Sequence, residues 1–175
     1  MARFSPGYRL LHIGKIFKSG EGMEKRIESA QRSFLNGLSC CQAVIKPYCV
    51  HYGLDPEQMA KIASGFGGGM TVGKTCGALS GAIMVLGMAL GFHDPGTSSE
   101  ARQVYRSKVT ELIRTFEAQH LHSECTALLG LDLSLPGGRE KANAADLSAT
   151  LCTQFIATAM TTVEAILSRS GIVIA

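Results

Sequence analysis

The chain contains no tryptophan, and aromatic residues make up only 6% of its 175 positions. Surfaces that stack nucleobases or line sugar grooves are built from aromatic rings, so neither class of ligand is expected. No charge of one sign dominates: 17 Lys and Arg against 14 Asp and Glu leave a formal charge of +3, spread without runs. A basic stripe for nucleic acid is therefore missing. The opening MARFSPGYRLLHIGKIFKSGEG has basic residues at positions 3, 9, 15 and 18 but no sustained apolar core, so no secretory signal is expected and the cytoplasm is the expected compartment. No apolar run reaches the roughly 18 to 20 residues of a membrane span. The best one, residues 76–91, is interrupted by four glycines, so a buried central helix is expected there and no stable membrane insertion. Sustained period-two alternation, the mark of half-buried strands, is absent as well.

What is present is apolar and helical. A hydrophobic content of 46% over 175 residues supports one domain with a real core. From Gly22 the residues Met23, Ile27, Ala30 and Phe34 share one helical face, with Gly37 as the stop. Ser39-Cys40-Cys41-Gln42 is a capping box that opens a helix to about Tyr52, ended by Gly53 and expected to kink at Pro47. Asp55-Pro56 starts a third helix, residues 65–75 form a glycine loop, and 76–91 is the apolar helix. Thr97-Ser98-Ser99-Glu100 is a second capping box, before a helix to about His120 whose inner face is Val104, Val109, Leu112, Ile113 and Phe116. A helical turn at 123–129 stops at Gly130, LDLSLPGGREKAN is a loop, and a last helix spans about 144–168. The expectation is an all-α compact bundle of about five to seven helices with a central apolar helix. Residues 1–21 form an arm, 22–170 a single domain, and 171–175 an apolar tail, GIVIA, free to dock on a partner chain, which allows a homodimer.

Within the glycine loop, Gly68 to Thr75 reads GGMTVGKT and matches the phosphate-binding template G-x-x-x-x-G-K-[ST]. That template works when a buried strand precedes the loop and a helix follows it. A helix does follow. The preceding stretch, Asp55 to Ser64, opens like a helix, and no later apolar strand ends in an Asp for magnesium. Nucleotide binding is the weakest of three functional readings. A second use suits the loop better: its glycines let the backbone come close to a sulfur or a cofactor.

Six cysteines without a secretion signal argue against a disulfide-stapled scaffold. Three of them, Cys40, Cys76 and Cys125, fall at expected helix N-termini, where free N–H groups and the helix dipole favour a thiolate. Lys74, two residues before Cys76, adds positive charge. His120 and His122 precede Cys125 in HLHSEC; they are better read as basic groups at a helix end than as metal ligands.

With Cys76-Gly77-Ala78-Leu79-Ser80-Gly81 preceded by GFGGGM, with Cys40 in GLSCCQAV, Cys125 in ECTALLG and Cys152 in the last helix, the chain resembles the C_GCAxxG_C_C family over roughly residues 25–168. The resemblance implies a small helical protein whose cysteines carry out redox or metal chemistry, with Cys40, Cys76, Cys125 and Cys152 as the gathered set and Cys41 and Cys49 outside it. A related domain occurs in split-Soret cytochromes, but without C-x-x-C-H no covalent haem is expected here. The four cysteines lack the local spacing of zinc ribbons or ferredoxins, so only the fold can bring them together.

If gathered, four thiolates suit an iron–sulfur cluster, [2Fe–2S] first, for electron transfer. Gly67, Gly68, Gly69 and Gly77 are the backbone positions expected to approach it. Zinc fits the same ligand count without electron transfer. The alternative has no metal: Cys76 is a reactive thiolate with another of the four as its resolving partner. Electrons would pass to a redox partner protein or a small thiol.

Overall fold

The computed structural model describes residues 19–174. The expected arm lies outside them except for its last three residues, which begin the first helix. Eight α-helices occur among the described residues: α1 (Ser19–Leu35), α2 (Cys40–Cys49), α3 (Pro56–Ala63), α4 (Gly77–Leu90), α5 (Ser99–His120), α6 (Cys125–Leu129), α7 (Gly138–Ala144) and α8 (Thr153–Arg169). No strand is found among them, only an isolated antiparallel bridge between Thr75 and Glu124. The fold is all-α. The helix beyond the expected number is α7, in the GREKANA stretch read as loop.

α4 lies at the centre, as its all-round apolar character requires, and packs against α2, α5 and α8. Gly81 explains how close α2 comes: a Cβ there would stand 2.8 Å from Val44 Cβ and 3.0 Å from the Cys41 carbonyl oxygen. Around α4 gather Val44, Ile45 and Tyr48 of α2, Leu112 and Phe116 of α5, and Ile156, Met160, Val163 and Ile166 of α8, all fully buried. Ile27 and Phe34 of α1 pack against this core as expected. One polar clamp crosses it. Arg26 of α1 donates from Nε and Nη2 to Glu164 of α8 at 2.9 and 2.8 Å, and the Tyr48 hydroxyl donates to the same carboxylate at 2.9 Å. The pair is largely buried, with side chains 14% and 11% exposed.

Four local expectations change. α2 ends at Cys49, two residues past Pro47, rather than at Tyr52, because the chain turns through left-handed Gly53 and the Leu54 N–H closes back on the Cys49 carbonyl at 2.9 Å. α5 is capped by Ser98, which accepts from the Ala101 N–H, and Val104 faces solvent at 54% exposure. α8 starts at Thr153 because Asp146 takes a left-handed φ of 51° and Ser148–Cys152 forms a wide turn. In the tail, Ile172 and Ile174 pack against this chain's own core, leaving Val173 outside.

By length and composition one described helical stretch could cross a membrane: Ser148–Arg169, 22 residues, with an 18-residue window at mean hydropathy 1.3. The sequence had pointed to residues 76–91, and α4 is too short for a span. The last helix owes its apolarity to a buried face, with Phe155, Ile156, Ala159, Met160, Val163, Ile166 and Leu167 turned inward.

Candidate functional site

Ser39 builds the first wall of the site. Its hydroxyl accepts from the Gln42 N–H at 3.4 Å while the Gln42 side chain accepts from the Ser39 N–H at 2.8 Å, which fixes the start of α2 and places Cys40 as its first residue. The second wall is the bridge. The Cys76 N–H donates to the Ser123 carbonyl at 2.8 Å and the Cys125 N–H to the Lys74 carbonyl at 2.7 Å. These two bonds tie the N-cap of α4, Cys76, to the first residue of α6, Cys125. The wide turn before α8 supplies Cys152. Cys40, Cys76, Cys125 and Cys152 all line one cavity of about 410 Å³. All six cysteines are free. Cys41 and Cys49 do not reach this cavity. The Cys41 sulfur lies 3.8 Å from that of Met84, and Cys49 donates to the Ile45 carbonyl.

The spacing of Gly77 and Gly81 acquires a reason here. They lie on one face of α4, and a Cβ on Gly77 would collide with the Cys40 sulfur and stand 2.8 Å from the Phe66 carbonyl oxygen. Gly67 is equally constrained, since a Cβ would run into the Ser39 side chain. Gly67 and Gly68 line the cavity. Gly69 does not; it turns toward the backbone of Lys74, with the Cys125 Cβ 2.8 Å from where its own would be. The backbone that favours charge on the Cys76 sulfur is the first turn of α4, at Ala78 and Leu79, rather than the glycine loop, and the thiol makes no capping hydrogen bond there.

The phosphate-loop match does not have its setting. The loop follows α3 and a 3-10 turn at Ser64–Phe66, where the template needs a strand. From Gly68 to Thr71 four successive residues are left-handed, with Met70 at φ 55° and Thr71 at φ 65°, and the turn closes when the Lys74 N–H donates to the Gly69 carbonyl at 2.9 Å. The Lys74 side chain points outward, 65% exposed, with Nζ 3.9 Å from Glu124. It neither lines the cavity nor acts on the Cys76 thiol. His120 is also elsewhere: its Nε2 is 2.9 Å from the Thr158 hydroxyl and its ring stacks between Phe116 and Phe155.

Burial dominates the electrostatics. It pushes the Cys76 thiol well above the ordinary value, the neighbouring Cys40 adds to this, and the backbone of the helix start offsets only part of it. The sequence expectation of a low thiol pKa at Cys76 is thereby reversed, because desolvation outweighs the helix N-terminus. Burial and Cys40 push Cys125 up to about 11, with Arg139 acting in the opposite direction. Cys152 is pushed up to about 12 by burial, then by Cys40 and Cys125. In the metal-free protein Cys76, Cys125 and Cys152 are therefore neutral. Among the described residues no three His, Cys, Asp or Glu side chains converge as they would around a single metal ion.

Sequence reasoning missed the far wall. Arg139, Ala142 and Asn143 of α7 line the cavity, with Leu147 and Phe155 beyond them. The run REKANA is made of good helix formers and was a usable signal, masked by the two glycines before it. No curated protein and no solved structure matches the chain. A family model described as "Putative redox-active protein (C_GCAxxG_C_C)" matches residues 38–166, well over half of the chain and all four cavity cysteines. With those thiols gathered in one cavity behind Gly77 and Gly81, the chain belongs to the C_GCAxxG_C_C family of redox-active proteins.

Proposed function

We propose that this redox protein holds an iron–sulfur cluster, [2Fe–2S] first, on Cys40, Cys76, Cys125 and Cys152, and serves in electron transfer. The observation that carries the reading is the placement of four thiols from four elements around one buried cavity, three of them at helix starts. The donor set fits. Thiols held neutral by burial are poor free nucleophiles, but a multivalent cation favours the thiolate and reverses that balance. Zinc needs four donors around one point, and no three converge among the described residues. A two-iron cluster asks for two pairs of thiolates, and it supplies one-electron transfer when bound. The protein's own part is to shield the thiols from water and to set the first turn of α4, at Ala78 and Leu79, beside Cys76, where the positive helix end offsets negative charge and raises the potential. Six free cysteines accord with a reducing compartment such as the cytoplasm.

Anaerobic purification tests this. The expected result is a brown protein absorbing between about 400 and 550 nm, with matched iron and acid-labile sulfide. A colourless, metal-free preparation counts against it. One observation favours the metal-free alternative: the Cys40 sulfur lies against Gly77, next to Cys76. Oxidation of that pair would form one S–S bond and release two protons and two electrons to an acceptor disulfide. A thiol count unchanged by oxidant and reductant cycles disposes of it.

A further inference from the structure

We infer that in the metal-free protein the cysteine cavity is also a binding pocket for a small organic anion, a carboxylate on an apolar body, with Arg139 as its anchor; this deepens the redox reading and rests on its thiol form by naming the class of molecule that meets the thiols. Three observations carry it. The cavity, about 410 Å³, falls within the range of small-molecule pockets. Its charge is one-sided: apart from the cysteines, Arg139 is the only ionisable residue in the lining, and no Asp or Glu joins it. Arg139 is exposed and, among the described residues, has no ion-pair partner to compete with a ligand.

The placement of Arg139 suits an anchor at the mouth. Its guanidinium lies over the glycine loop, where a Cβ on Gly68 would stand 3.5 Å from Nη2. The N-termini of α2 and α4 face the same space with the same sign. Leu38, Leu128, Leu133, Leu147 and Phe155 supply an apolar stretch of wall, with Thr71, Asn143 and Ser148 as polar neighbours. A guanidinium fork recognises a carboxylate, and the wall takes the rest of the molecule.

The test uses two reagents that alkylate the same sulfur and release iodide, differing in charge: iodoacetate and iodoacetamide. The reduced, metal-free full chain is treated with each, and the ratio of rates is compared with that of mercaptoethanol. The wild-type ratio is expected to favour iodoacetate by roughly tenfold over the free thiol, to collapse in Arg139→Gln and to persist largely in Arg139→Lys. Benzoate should slow iodoacetamide labelling of the wild type, and benzyl alcohol should not. A ratio equal to that of mercaptoethanol, a ratio retained by Arg139→Gln, or equal protection by benzyl alcohol overturns the inference. Iron and sulfide analysis is independent of all three measurements. Anion selectivity without iron would leave this pocket standing and sink the cluster, and iron without selectivity would do the reverse.

Discussion

At Cys76 two environments act on one sulfur. The first turn of α4, at Ala78 and Leu79, favours a charged sulfur, while burial and the neighbouring Cys40 hold it neutral until a cation arrives. Lys74 plays no part in this, being turned to solvent beside Glu124. Replacing Cys76 by Ser keeps the size and supplies a better N-cap, so the helix should form normally while iron binding is lost. Lys74→Ala should retain iron and sulfide contents within error. If Lys74→Ala abolishes function and Cys76→Ser preserves it, the phosphate-loop match was the signal. Gly77 admits an equally local test. Because a Cβ there meets the Cys40 sulfur and the Phe66 carbonyl, Gly77→Ala should destabilise the fold by about 1–3 kcal/mol in urea titrations and displace one ligand of the site.

The elements are held by close approach and by one buried charge pair. α2 and α4 meet across Gly81, so Gly81→Ala should cost about 1–3 kcal/mol by pressing on Val44 and the Cys41 carbonyl. That cost would fall on the interface that sets the distance between Cys40 and Cys76. α1 and α8 are joined by Arg26 and Glu164, with Tyr48 on the same carboxylate. Glu164→Ala leaves a largely buried guanidinium without its partner and should lower stability by about 3 kcal/mol, measured by denaturant midpoint. Since α1 contributes Phe34 to the cavity wall, the same variant should loosen iron retention without removing a ligand.

For the whole molecule the cysteines make stability depend on pH in opposite directions with and without metal. In the metal-free protein, burial raises Cys125 from 9.0 to about 11, and Cys41 and Cys152 from 9.0 to about 12. The folded values lie above the unfolded ones, so the fold favours the neutral thiols. Below the ordinary thiol value this contribution is complete. Above it the unfolded chain loses protons that the folded chain keeps, and stability should fall from about pH 9 through 11 to 12. A urea midpoint that rises across that window would contradict the assignment. With iron bound the ligands must be thiolates, so acid should release iron and bleach the visible absorption while alkali should not.

Much of this molecule is legible one segment at a time. The capping box at Ser39, the Asp55-Pro56 start, the apolar run of α4 and the inward face of α8 are local chemistry, and each forms close to where the residues place it. The same local logic puts Cys40, Cys76 and Cys125 at helix starts. It falls short where a segment depends on partners far along the chain. α7 forms beside residues that it meets only in the fold, and Cys152 reaches the cavity through a wide turn no pattern announces. The conflict at Cys76 is of the same kind: a helix N-terminus is a property of a few adjacent residues, but burial is a property of everything packed around them. The sequence by itself determined the helices and the positions of the thiols along them. Only the tertiary structure decided that four of the six thiols share one cavity, that burial keeps Cys76, Cys125 and Cys152 neutral, and that Arg139 stands at its mouth, because desolvation and distance exist only after the chain has packed.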